Sequence, residues 1–119
     1  MASILLVDDD KTFLNGLKMI FGMENIQVST TTTVSTAKVL LDTEDISLVC
    51  TDWELPDGTG LDVLAYARKN DIPVVFLTGH DEDSYQEQAT AQGAMQYYIK
   101  GQFDYSKLIA YIIESANLA

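Results

Sequence analysis

Ile46-Ser47-Leu48-Val49-Cys50-Thr51-Asp52-Trp53 carries an apolar strand straight into a carboxylate, and the reading of that junction decides the fold. Ile46–Thr51 has the length and apolar content of a strand covered on both faces. Asp52 then stands between that strand and Trp53, where an isolated charge is costly and needs partners. Asp57-Gly58, within the loop that follows, is a turn signal, and Asp57 is assigned no catalytic role. Cys50, the single cysteine, cannot form an internal disulfide and reads as a small buried hydrophobe.

On both sides of this junction, apolar runs alternate with helical periodicity. Ile4-Leu5-Leu6-Val7 is a short buried strand that stops at Asp8, Asp9 and Asp10. Phe13, Leu14, Leu17, Ile20 and Phe21 share one stripe of the next helix, capped by one of those aspartates and ending near Gly22. A weaker strand is predicted over 26–30. Thr30 to Thr33 then supplies a strand end and an N-cap for a helix carrying Val34, Ala37, Leu40 and Leu41. Leu61, Leu64 and Ala65 mark a third helix, and Pro73 opens a strong strand through Val74, Val75, Phe76 and Leu77. Residues 83–92 form a loosely packed helix with a thin stripe, Tyr85 and Ala89, ended by Gly93. Tyr97-Tyr98-Ile99 is a short strand leading to Lys100, and Tyr105, Leu108, Ile109, Ile112 and Ile113 stripe the last helix.

Five strands alternating with five helices imply right-handed crossovers and an α/β fold: a doubly wound five-stranded parallel sheet, flavodoxin-like (βα)5. In such sheets ligands sit outside the carboxyl ends of the strands. Asp8 and Asp9, Asp52, Thr78 and Lys100 occupy those ends. Carboxylates converging in one cleft repel unless a cation intervenes, and a hard oxygen-lined site suits Mg2+. A carboxylate can itself be the nucleophile of phosphoryl transfer when a metal, a lysine and a hydroxyl neutralise the equatorial oxygens.

Composition bounds the alternatives. With 119 residues and 47% apolar content the chain fits one domain, 1–119. Eighteen acidic against seven basic residues give a formal charge of −11, which repels nucleic-acid phosphates and anionic membrane surfaces. No direct nucleic-acid or membrane partner is expected. The chain shows no apolar run of membrane-spanning length and no secretory signal, so a cytoplasmic location is expected.

The segments LVDDD, TDWELPDGTG, VVFLTGHDE and YYIKG resemble, in order and spacing, the receiver domain of two-component response regulators, and the resemblance covers the whole chain. It implies a sheet of strand order 2-1-3-4-5, with Asp8 and Asp9 as the acidic metal pair, Asp52 as phosphoacceptor and metal ligand, and the Glu54 backbone carbonyl completing the protein ligands of Mg2+. It implies that Thr78 and Lys100 contact the phosphoryl group and that Thr78 and Tyr97 form the switch pair. The partners it implies are a sensor histidine kinase as phosphodonor and an output domain or protein on the face of the fourth helix, fifth strand and fifth helix. Homodimerisation on phosphorylation is among the implied outputs. Glu54 and His80 correspond to the two positions that the family varies to tune phosphoryl lifetime, although His80 by itself reads as solvent-facing. The family's proline after the lysine is replaced by Gly101, so a trans Lys100–Gly101 bond and a rearranged loop are expected. The tail also resembles receivers that precede a sensor, histidine-kinase or diguanylate-cyclase region, which would make the chain part of a longer signalling protein.

Each residue has a plainer reading when taken alone. Asp8 to Asp10 suit a helix N-terminus, Lys100 a strand-end surface charge, Thr78-Gly79 a turn, and Tyr97 sheet filler. The enzyme alternative is a haloacid-dehalogenase-type phosphatase, whose D-x-D-x-T motif Asp8-Asp9-Asp10-Lys11-Thr12 resembles, with Asp8 as nucleophile and Asp10 as general acid. It needs a further acidic metal pair after the lysine, where only Asp104 and Glu114 stand. A flavodoxin-like cofactor module would need a neutral phosphate loop where this chain has three aspartates.

Overall fold

The computed structural model describes residues 3–116. Its elements are β1 (Ser3–Val7), α1 (Lys11–Met23), β2 (Val28–Thr31), α2 (Val34–Thr43), β3 (Ile46–Thr51), β4 (Glu54–Leu55), β5 (Gly58–Thr59), α3 (Gly60–Lys69), β6 (Val74–Thr78), α4 (Asp83–Ala91), β7 (Gln96–Ile99) and α5 (Tyr105–Ser115). Five strands form one parallel sheet in the order β2-β1-β3-β6-β7, the expected 2-1-3-4-5 once the short antiparallel β4–β5 ribbon is set aside.

The central strands are apolar on both faces because helices cover both. Alternate residues divide the core into two layers. Leu5, Val7, Val49, Val74 and Phe76 meet α2, α3 and Ala89 of α4, while Ile4, Leu6, Leu48, Cys50, Val75 and Leu77 meet α1 and α5. Among the described residues, no helix is long and apolar enough to cross a membrane.

The helices begin and end where local chemistry dictates. Asp10 caps α1 by accepting from the Phe13 amide, and Thr33 caps α2 by accepting from Thr36. At the end of α1, Asn25 takes a left-handed φ of 60°, and the Ile26 amide turns back to the Phe21 carbonyl. Ile26 therefore closes a helix instead of opening a strand, and β2 begins two residues later than expected. Gly93, with φ of 102°, ends α4 as expected, against the Arg68 side chain. Only Ala89 of α4 is buried, in keeping with its thin stripe.

Two positions depart from the apolar stripes read in the sequence. Ala65 lies exposed on the outer side of α3, whose buried side chains come from Val63, Leu64 and Ala67. Tyr105, at the first turn of α5, is also exposed and lies edge-on to Phe103. The Lys100–Gly101 bond is trans, as expected, and Gly101 has φ of 82°.

Candidate functional site

Parallel pairing brings the ends of β1, β3, β6 and β7 to one edge of the sheet. The Asp52 amide donates to the Val7 carbonyl (2.8 Å) and the Lys100 amide to the Thr78 carbonyl (2.8 Å), so each site residue leaves its strand at the same level. Asp8 is almost fully buried. Its Oδ1 accepts from the Asp10 amide at 2.9 Å, and its Oδ2 faces Lys100 Nζ at 2.8 Å. Asp52 Oδ1 accepts from the Trp53 amide at 2.6 Å, and its Oδ2 lies 3.4 Å from the same ammonium. Lys100 reaches them by lying over the Phe13 ring, 4.4 Å from its centroid.

These contacts set the electrostatics. Burial pushes the Asp8 carboxyl above its ordinary range, outweighing the pull of the Lys100 ammonium and the Asp10 amide, while the Asp52 charge adds to the rise. Burial alone would lower the Lys100 ammonium. The bond to Asp8 and the charges of Asp52 and Asp8 together raise it. Lys100 is thus a fixed cation between two carboxylates that would otherwise repel.

The sequence-selected residues are distributed as follows. Carboxylate oxygens of Asp8, Asp9 and Asp52 all lie within 4.8 Å of one another, with Asp9 on the solvent side. An all-oxygen set, open to water on one side and paired with a lysine, fits a hard divalent cation of the Mg2+ type. Thr78 is fully buried and its Oγ1 accepts from the His80 amide at 3.3 Å. Tyr97 is turned into the core beside Phe76, and its hydroxyl donates to the His80 carbonyl at 2.6 Å. Asp10 is engaged as the α1 cap, its Oδ1 accepting from the Phe13 amide.

Two features escaped the sequence reading. His80 is not simply solvent-facing: its ring is stacked on Tyr85, 4.4 Å between centroids, with Nε2 2.9 Å from Glu54 Oε1. The partner residues come from β4 and α4 and share no spacing signal. The segment after Asp52, expected from the sequence to be a loop, folds into the β4–β5 ribbon with Leu55 buried at its base and Asp57 at its tip. Gly60, where the ribbon becomes α3, has no room for a side chain. An added Cβ would stand 2.3 Å from the Asp52 carbonyl oxygen and 2.6 Å from the Phe76 ring.

A doubly wound sheet with a carboxylate cluster, a lysine and a buried hydroxyl at its carboxyl edge defines a phosphoacceptor signalling domain. A model of the response regulator receiver domain family matches residues 4–113, and the chain belongs to that family. It is 33% identical over 100 residues to the photosynthetic apparatus regulatory protein RegA of Rhodovulum sulfidophilum, covering 82% of this chain and 55% of that protein. It is 31% identical over 98 residues to the response regulator protein PilR of Pseudomonas aeruginosa, covering 81% of this chain and 22% of that protein. The chain thus spans about half or less of these relatives. Among solved structures, the CheY-like receiver domain from Methanospirillum hungatei JF-1 superposes with a TM-score of 0.89 at 26% identity, over 99% of this chain and 95% of the other. The non-phosphorylated HemR receiver domain from Leptospira biflexa gives 0.85 at 27% identity, over 100% and 97%. The chain is accordingly a receiver domain of the two-component type, a signalling phosphoacceptor. Receiver domains generally use Mg2+ at such an acidic pocket and act between histidine kinases and output domains.

Proposed function

We propose that Asp52 is the phosphoacceptor, and that a sensor histidine kinase is its donor. The observation that carries this reading is the placement of the Asp52 carboxylate: 13% exposed, 3.4 Å from Lys100, in one cluster with Asp8 and Asp9. An Asp52 oxygen attacks the phosphorus of phosphohistidine; the new O–P bond forms as the N–P bond breaks, and the leaving imidazole takes up a proton. Asp8, Asp9, Asp52 and the Glu54 backbone carbonyl would hold Mg2+, which supplies charge neutralisation to the phosphoryl oxygens. The Trp53 amide fixes Asp52 Oδ1. Lys100 leaves Asp8 for a phosphoryl oxygen, a motion within reach of a side chain already 3.4 Å from Asp52.

In the same reading Thr78 turns its hydroxyl toward the phosphoryl group and gives up the His80 amide. That amide lies in the segment whose carbonyl holds Tyr97, so the shift reaches the face of α4, β7 and α5, where an output domain or partner protein would bind. Homodimerisation on that face is one such output. Attack of water on the acyl phosphate resets the domain, and the chain assists that step. A cytoplasmic location follows from a kinase donor that draws on ATP. The domain is read as 1–119, within a longer signalling protein.

Intact-mass analysis after incubation with acetyl phosphate and Mg2+, followed by borohydride trapping, tests the assignment. A magnesium-dependent adduct on Asp52, absent from Asp52→Asn, is expected. An adduct on Asp8 would replace this reading with the phosphatase one.

A further inference from the structure

We propose that Asp57, a turn residue outside the site, is a positioning residue that holds the β4–β5 ribbon, and with it the Glu54 carbonyl, in place for the cation. This rests on the reading of Glu54 as a cation ligand. The Asp57 carboxylate reaches out of its own ribbon to the start of α2: Oδ1 accepts from the Val34 amide at 2.7 Å and Oδ2 from the Ser35 amide at 2.9 Å. Those are the first two amides of α2, while the helix's own cap, Thr33, takes only the Thr36 amide. The capping of α2 is therefore divided between a local residue and one more than twenty positions away. The Ser35 and Val34 amides hold the Asp57 carboxyl below its ordinary range, in keeping with a charge engaged by both.

The other end of the tie leads back to the site. The Thr33 amide donates to Thr31 Oγ1, and the Thr31 carbonyl accepts from the Asp8 amide at 3.1 Å. Asp57 thus links the ribbon after Asp52 to the strand end that presents Asp8. A ribbon of two-residue strands has little order of its own. Leu55 anchors its base, and at the tip Gly58 fits against Val34 so closely that a Cβ there would lie 3.1 Å from the Val34 methyl. Without the two Asp57 bonds the ribbon loses its hydrogen-bonded tie to α2, and the carbonyl two residues after Asp52 samples a wider range of positions.

Mg2+ titration followed by the emission of Trp53, the only tryptophan, tests this in solution of about 0.5 M salt, where long-range charge effects are screened. Asp57→Ala should weaken Mg2+ binding about 10-fold, the loss typical of removing a residue that orients a ligand. Asp57→Asn, which keeps one acceptor, should fall between it and the unaltered chain. Thr33→Ala, which weakens the same helix without touching the ribbon, should lower thermal stability and leave Mg2+ affinity unchanged. Equal losses for Asp57→Ala and Asp57→Asn would assign the effect to charge, and equal losses for Asp57→Ala and Thr33→Ala would assign it to helix stability. Either result, or unchanged affinity in Asp57→Ala, overturns the proposal. No Mg2+ response in the unaltered chain overturns the receiver-site reading itself.

Discussion

Lys100 Nζ stands 2.8 Å from Asp8 Oδ2, so the buried carboxylate of the site has a lysine as its counter-ion before any phosphoryl group arrives. The pairing is compensation rather than surplus. Burial still leaves the Asp8 carboxyl raised, meaning that the folded chain binds its proton more tightly than the unfolded chain does. The stability associated with that proton is present below the unfolded pKa and is lost as pH rises through the raised folded value. At neutral pH the charged form is a burden on the fold.

Asp8→Asn is therefore expected to raise the melting temperature of the metal-free protein at pH 7, by roughly 3 °C or more. The gain should shrink when Mg2+ is added, because the unaltered chain then acquires a ligand that the variant binds poorly. Differential scanning calorimetry with and without Mg2+ measures both, and a lower melting temperature for metal-free Asp8→Asn would contradict the account.

Tyr97 offers an alkaline counterpart. Burial, reinforced by the charges of Glu82 and Asp52, pushes its phenol up to about 12. A raised pKa gives stability that is present below the unfolded value near 10 and is lost as pH rises through about 12. Tyr97→Phe should remove a late-ionising component from an absorbance titration and flatten the loss of stability above pH 10. It should also cost about 1 kcal/mol at neutral pH, since the His80 carbonyl loses its donor.

Gly60→Ala probes the contact between the ribbon and the site. The added methyl meets backbone on one side and the Phe76 ring on the other, and neither is the free end of a flexible side chain. A loss of about 1–3 kcal/mol in urea unfolding is expected, the usual penalty for overpacking. Mg2+ affinity should fall with it, because the displaced group is the Asp52 carbonyl. Unchanged values of both would mean that the α3 start yields more easily than the close approach implies.

Lys100→Ala separates binding from transfer. Removing the ammonium leaves Asp8 and Asp52 without a cation between them, so Mg2+ affinity should hold or rise while the rate of labelling by acetyl phosphate falls. Fluorescence titration and stopped-flow labelling report the two separately. A parallel fall in both would place Lys100 in the cation site's architecture instead of at the phosphoryl group.

The sheet was legible because its central strands are apolar on both faces, and the site because its residues end those strands. Periodicity alone carried β1, β3 and β6 to within a residue. Ile26 shows where it failed: an apolar residue beside a strand was spent on closing α1, through a left-handed Asn25 that leaves no hydrophobic signature. Asp57 and His80 failed for a different reason. Their partners, Val34 and Ser35 for one, Glu54 and Tyr85 for the other, are distant in sequence and chosen by the tertiary fold. A turn dipeptide predicts a turn and says nothing about which helix the turn will hold.

The neighbouring tyrosines of β7 look in opposite directions. Tyr97 stacks on Phe76, which meets Trp53 and through it Tyr85, whereas Tyr98 meets Phe103 and Tyr111 on the other side of the sheet. The sheet therefore separates two aromatic groups that both lie near Asp52: one begins at Trp53, the residue next to it, and the other at Phe13, whose ring lies under Lys100. The two faces of the domain can answer one event at Asp52 through different side chains.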